Sequence, residues 1–159
     1  MKNYYKGAQI LVTGGVGSIG NSLVERLLSF QPKVVRVFDN NEYKLFELSL
    51  RKDPRIRPLF GDIRDYDRLK KAMENIDVVF HAAALKHVEL SEFNAFEAVK
   101  TNVLGTQNLL QAAIENKVDR VIVISTDKAV NPIATMGATK LLAEKLTVSA
   151  AYQKGLSKT

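Results

Sequence analysis

The chain has 159 residues, 46% hydrophobic and 25% charged, with a formal net charge of +6 and no cysteine. That size and balance suit one soluble domain able to bury a real core, and the lack of cysteine excludes disulfides and thiolate metal sites. No apolar run approaches the roughly 20 residues that span a bilayer, and Met1–Gln9 is too polar for a secretory signal, so the expected compartment is the cytoplasm.

Short β-branched runs alternate with longer amphipathic segments. In chain order the pattern predicts strand Gln9–Thr13, helix Ser18–Phe30, strand Val34–Phe38, helix Asn41–Arg51 and strand Arg57–Phe60. It continues with helix Tyr66–Glu74, strand Asp77–His81, helix Glu92–Asn116, strand Arg120–Ser125 and helix Met136–Lys154. The strand runs are continuously apolar, as parallel strands covered on both faces must be. Alternation with short connections implies right-handed crossovers and a doubly wound parallel α/β sheet, helices on both faces. The expected strand order is 3-2-1-4-5, with ligand at the carboxyl ends of strands 1 and 4, where the order reverses. Residues 1–159 read as one domain that stops before the sixth strand and substrate lobe usual in a complete fold of this type.

Thr13-Gly14-Gly15-Val16-Gly17-Ser18-Ile19-Gly20 joins the first strand to the first helix. Glycines 14, 17 and 20 have the GxxGxxG spacing, a variant of the dinucleotide-binding turn. Gly14 permits a tight turn, Gly17 lets backbone approach a diphosphate, and Gly20 lets helix pack on strand. At Ser18 and Ile19 the helix start offers free N–H groups and a positive dipole end to phosphate. Asp39, followed by Asn40, ends the second strand nineteen residues past Gly20. A carboxylate there accepts hydrogen bonds from the adenosine ribose and repels a 2′-phosphate, so NAD is expected rather than NADP. The competing reading of Asp39 is an N-cap for the next helix.

Other segments leave alternatives open. Asp62, in Gly61-Asp62-Ile63, either reaches an adenine amino group or caps a turn. Ala82-Ala83-Ala84 either lets backbone lie against a cofactor or serves close helix packing. The positive charge would suit nucleic acid, but the densest basic cluster, Arg51, Lys52, Arg55 and Arg57, has no interleaved aromatics for base stacking. A solvated surface that attracts an anionic cofactor or sugar nucleotide is expected instead, with no nucleic-acid partner. His81 and His87 lack a partner at metal-ligand spacing, so no metal site is expected.

Thr13–Gly20, Gly61–Asp65, His81–Val88, Thr101–Thr106 and Ser125–Lys140 together resemble an extended short-chain dehydrogenase/reductase of Rossmann fold. More narrowly, Ala82-Ala83-Ala84-Leu85-Lys86-His87-Val88 and Ser125-Thr126-Asp127-Lys128-Ala129-Val130-Asn131-Pro132 resemble CapD-like polysaccharide-biosynthesis proteins, the UDP-N-acetylglucosamine 4,6-dehydratases. The resemblance implies NAD-dependent chemistry on a UDP-linked N-acetylhexosamine. A hydride leaves C4, water is lost across C5 and C6, and the hydride returns to C6. The product is a 4-keto-6-deoxy sugar nucleotide for surface glycans.

By that similarity Lys128 is the base for the C5 proton, a task lysine performs when its surroundings favour the neutral form. Asp127 protonates the departing C6 hydroxyl, which calls for a raised pKa. Thr126 hydrogen-bonds the C4 oxygen, and Ser125 lies beside the cofactor. Met136 departs from the usual pattern of a Tyr four residues before the Lys, here Lys140. A thioether exchanges no proton, so the C4 hydroxyl proton is assigned to Asp127 with Lys128 assisting, while Lys140 keeps its ribose contact. Asn102 either braces the active site beside the cofactor or is an ordinary helix residue. Lys86, His87 and Asn131 are assigned to the UDP-sugar. Apolar stripes along 92–116 and 136–154 suggest a homodimer, against packing on the same subunit's sheet. The alternative functions are a sugar-nucleotide epimerase or reductase, and a non-catalytic NAD-binding module.

Overall fold

A computed structural model describes residues 4–153. Five parallel strands, β1 (Gln9–Thr13), β2 (Val34–Asp39), β3 (Ile56–Phe60), β4 (Val78–His81) and β5 (Arg120–Val123), form one sheet in the order β3-β2-β1-β4-β5. This is the expected doubly wound order. Its register brings the carboxyl ends level: Thr13 pairs with Phe38 on one side and His81 on the other, Asp39 with Phe60, and His81 with Val123.

Successive strand residues point to opposite faces, so each face gets its own core. Ile10 and Val12 join Val35, Val37 and the buried sides of α1 (Ser18–Leu28) and α2 (Glu42–Ser49). Leu11 and Val79 join Leu69 and Met73, around α3 (Tyr66–Ala72), and Leu109 and Leu110 on α6 (Gly105–Glu115). Each such fully buried side chain contributes roughly 1.5–3 kcal/mol of transfer free energy. Arg51 pairs with Glu25 and Arg55 with Asp53, so half of the basic cluster is locally neutralised.

One predicted helix is corrected. The segment expected to run unbroken over Glu92–Asn116 begins earlier and is divided into α4 (Val88–Phe93), α5 (Ala95–Ala98), a π-helical turn (Val99–Leu104) and α6. Asn94 causes the first break: its backbone leaves the helical region at φ −128° and ψ 47°, and its side chain donates to the Leu90 carbonyl at 2.9 Å. At the π turn the Thr106 hydroxyl donates to the Asn102 carbonyl at 2.6 Å, and a side chain inserted into the ladder is a recognised cause of such irregularity. The last helix, α7, spans Thr135–Gln153; its predicted end at Lys154 lies outside the described residues.

The apolar stripes divide between two uses. Val103, Leu109, Leu110 and Ala113 are buried within the subunit, whereas Val99, Leu104, Leu142 and Val148 stay exposed. No helix among the described residues is long and apolar enough to cross a membrane.

Candidate functional site

The glycine turn is built by close approach. Gly14 has φ +65°, a conformation L side chains rarely adopt, and a Cβ there would lie 2.5 Å from the Ala83 nitrogen. A Cβ on Gly20 would fall on the Gly14 carbonyl oxygen and lie 2.7 Å from the Gly15 Cα. Gly17 is less crowded, with only the Gly14 oxygen at 3.2 Å from such a Cβ. It caps α1 in extended conformation without a side-chain acceptor, leaving the first-turn N–H groups free for an anion.

Asp39 is held from two sides. Its Oδ2 accepts from the Val16 N–H at 3.2 Å and its Oδ1 from the Asn41 N–H at 3.0 Å. It is not the N-cap of α2; Asn41 is, accepting from the Lys44 N–H at 3.0 Å. The carboxylate thereby ties the glycine turn to the end of β2 and keeps lone pairs for a ligand.

These groups line one cleft of about 400 Å³ at the carboxyl ends of β1, β2, β3 and β4. Its walls come from Gly14, Gly17–Gly20, Asp39-Asn40, Asp62-Ile63 and Ala82–Ala84, so most of the predicted cofactor residues do converge. Lys86, expected at the sugar, lines this same cleft. Ile63 turns its side chain into the core and is only 5% exposed, which leaves its backbone to face the cleft. Asp62 does accept a turn hydrogen bond, from the Arg64 N–H at 2.9 Å, and the Arg64 guanidinium beside it holds its carboxyl below the usual range. The chain reading missed Arg64, Glu97 and Thr101, which also line the cleft. Arg64 stands two residues past Asp62, but its pairing with Glu97 spans 33 residues and leaves no local signal.

Small-residue turn, free helix N–H groups and ribose-side carboxylate fit an elongated diphosphate-bridged ligand. They would hold the diphosphate at Gly17–Ile19 and a ribose at Asp39.

The remaining predicted residues are not in the lining of this cleft. Thr126, Asp127 and Lys128 form a polar turn after β5. The Thr126 hydroxyl donates to Asp127 Oδ1 at 3.0 Å, and Lys128 Nζ lies 3.6 Å from the same oxygen. The Asp127 side chain is 87% exposed and that of Lys128 57%. The Thr126 hydroxyl and the nearby lysine hold the Asp127 carboxyl below its ordinary range, the opposite of the raised value expected for a proton donor. Ser125 donates to Glu144. Asn131 has a left-handed backbone, φ 48°, and is exposed, and His87 precedes α4 without using its side chain as a cap.

Met136 is only 4% exposed, at the start of α7. Gly137 beside it lets the Thr126–Lys128 turn pack there, since a Cβ would strike the Lys128 carbonyl oxygen. Lys140 is buried one helical turn on. Its Nζ donates to the Ile124 carbonyl at 2.5 Å, and burial pushes its pKa down, opposed by Glu144.

Asn102 is a brace between loop and helix. It accepts from the Leu85 N–H at 2.8 Å and donates to the Leu85 carbonyl at 2.9 Å and the Thr139 hydroxyl at 3.0 Å. Beneath it runs a chain that sequence reading did not find: Thr13 Oγ1 to His81 Nδ1 at 2.7 Å, and His81 Nε2 to Thr106 Oγ1 at 3.1 Å. Thr106 spends its one hydroxyl proton on the Asn102 carbonyl, so His81 Nε2 must donate, and in the neutral ring Nδ1 then accepts. Burial, with Lys140 adding repulsion, pushes the His81 pKa down to about 3.

Residues 10–159 match the polysaccharide biosynthesis protein family. A relative in Methanocaldococcus jannaschii, named an uncharacterized membrane protein, is 61% identical over all of this chain and 48% of its own length. A UDP-N-acetylglucosamine 4,6-dehydratase (inverting) of Campylobacter jejuni is 46% identical over 89% of this chain and 43% of its own. A UDP-glucose 4-epimerase of Rickettsia massiliae is 44% identical over 94% and 46%. Among solved structures, Pen from Bacillus thuringiensis superposes with a TM-score of 0.94 at 51% identity, over 97% of this chain and 50% of that one. A dTDP-glucose 4,6-dehydratase from Streptomyces venezuelae, solved with NAD, gives 0.85 at 32% identity, over 93% and 53%. The chain thus spans about half the length of the curated relatives it matches. The fold, the cleft and the extent of these matches make the chain a member of the polysaccharide biosynthesis protein family, among nucleotide-sugar dehydratases and epimerases of the short-chain dehydrogenase type.

Proposed function

We propose that the chain carries the NAD-binding and catalytic-turn portion of a UDP-N-acetylglucosamine 4,6-dehydratase that serves glycan biosynthesis. The observation that carries this reading is the buried Met136 one turn before Lys140, beside the exposed Thr126-Asp127-Lys128 turn. No phenol stands at that helix position to exchange a proton, so proton transfer falls to the acid and amine of the neighbouring turn. Two arms of the cofactor cleft favour NAD: the free N–H groups of α1 for its diphosphate and Asp39 for its ribose.

NAD, when bound, supplies reversible hydride uptake. The residues of the chain move the protons. Asp127 starts as a carboxylate, the form its surroundings favour, and accepts the C4 hydroxyl proton with Thr126 hydrogen-bonded to the C4 oxygen. Lys128 removes the C5 proton, made acidic by the C4 ketone. Asp127 gives up the proton it carries as the C6 hydroxyl leaves as water, and Lys128 returns its proton to C5. Enclosure by substrate raises the Asp127 pKa for the second task, since burial disfavours the charged carboxylate. Lys86, His87 and Asn131 contribute contacts to the UDP-sugar, and the exposed Val99, Leu104, Leu142 and Val148 form a homodimer contact.

Incubation with UDP-N-acetylglucosamine and NAD tests the reading by product mass. Loss of one water supports a dehydratase. An isomer of unchanged mass establishes the epimerase that the Rickettsia relatives are named for, and NAD binding without product leaves a cofactor-binding module. A monomeric mass by light scattering at high concentration removes the dimer.

A further inference from the structure

Arg64 forms a two-armed bridge within the cofactor cleft that the mechanism leaves without a task. Its backbone N–H and Nε both donate to Asp62 Oδ1, at 2.9 and 3.0 Å, and Nη2 donates to Asp62 Oδ2 at 2.7 Å. Its other arm, Nη1, donates to Glu97 Oε2 at 2.9 Å, and Glu97 Oε1 accepts from Lys100 at 2.8 Å. Asp62, Arg64 and Glu97 all line the cleft. One guanidinium thereby ties the loop after β3 to α5.

Stability does not account for the bridge. The three side chains are partly exposed, 45% for Arg64, 28% for Asp62 and 43% for Glu97, and ion pairs so open to solvent add little. Its effect is orientational. A carboxylate has about four acceptor positions, two on each oxygen. Arg64 fills both on Oδ1 and one on Oδ2, which leaves about one position for an incoming donor, and the Asn40 side chain, also an Asp62 partner, competes for it. A fork clamped at both ends fixes that lone pair in space, which a lysine at the same position would not do.

We propose that Arg64, braced by Glu97, is a positioning residue that makes the cleft selective for a purine bearing a 6-amino group, by holding Asp62 as a one-sided acceptor. The inference rests on the dinucleotide reading above. An adenine amino group donates to such an acceptor, whereas a hypoxanthine carbonyl at the same position sets oxygen against carboxylate.

Calorimetric titration of the protein with NAD and with nicotinamide hypoxanthine dinucleotide tests this. The wild-type protein is expected to bind NAD at least about tenfold more tightly than the hypoxanthine analogue, the scale of one hydrogen bond to a charged group. Arg64→Gln, at an unchanged thermal midpoint, is expected to weaken NAD about tenfold, leave the analogue within about twofold and bring the ratio near one. Glu97→Ala keeps the Asp62 clamp but frees its far end, and is expected to lower the ratio about threefold. A folded Arg64→Gln protein that keeps the wild-type ratio overturns the proposal while leaving NAD binding intact. A wild-type protein that binds neither dinucleotide overturns both this proposal and the reading beneath it.

Discussion

The Thr13 hydroxyl lies 2.7 Å from Nδ1 of His81, across neighbouring strands and with both side chains fully buried. That contact begins a chain through Thr106 to the Asn102 carbonyl, and burial keeps the imidazole in it neutral. The unfolded chain takes a proton on this residue below about pH 6.5, whereas the folded chain resists until about 3. Acid therefore favours unfolding across that window, by up to about 1.4 kcal/mol for each pH unit, and above 6.5 the residue adds no pH dependence. His81→Gln is expected to be less stable at pH 7 but to lose stability more slowly between pH 6 and 4, as measured by urea unfolding at a series of pH values. Parallel slopes for the two proteins would refute the buried neutral histidine.

Gly20 and Gly17 differ in what limits them. A methyl on Gly20 collides with the Gly14 carbonyl, while one on Gly17 meets only that oxygen, at 3.2 Å. Gly20→Ala is expected to lose about 1–3 kcal/mol of stability together with NAD affinity. Gly17→Ala is expected to fold with nearly unchanged stability and to lose affinity alone, because the added carbon stands between backbone and diphosphate. Thermal unfolding with and without NAD separates the two outcomes.

Asp39 has a local task in the fold beside the ligand task proposed for it. Asp39→Asn keeps an oxygen for one of the Val16 and Asn41 N–H groups but removes the charge. NAD affinity is expected to fall about 10- to 100-fold, and the ratio of NADP to NAD affinity to rise. Equal NADP and NAD affinity in the wild-type protein would remove the assigned role.

Glu92 supplies a cap across the chain. Its Oε1 accepts from the Thr135 N–H at 2.5 Å, at the first residue of α7. Glu92→Ala is expected to destabilise by about 1 kcal/mol through the lost cap and charge–dipole interaction, and Glu92→Gln by a few tenths. If Ala and Gln variants unfold at the same denaturant concentration as wild type, α7 is capped in solution by water.

The sheet and the cofactor turn were legible because local pattern decides them. Continuous apolar runs gave all five strands within two residues at each end, and the glycine spacing gave the turn. The divided helix was not legible, since its break depends on one Asn side chain and its π turn on a hydroxyl meeting a carbonyl within the fold. Asp39 is ambiguous in the sequence because the cap of the next helix falls on Asn41, two residues on, which local pattern does not distinguish. The Arg64–Glu97 bridge, the histidine chain and the Glu92 cap join residues 25 or more positions apart, where periodicity carries no information.

The level strand ends divide the molecule into a stiff part and a compliant part. The glycine turn, Asp39 and the alanine run hang from β1, β2 and β4, each with a strand on either side. The Thr126–Lys128 turn hangs from β5, which has a single neighbour among the described residues. Local opening follows such differences in backbone pairing. The dinucleotide therefore meets a seat whose shape is settled in advance, while the turn proposed for the sugar has latitude to adjust, and amide exchange is expected to quicken from Leu11 outward to Val123.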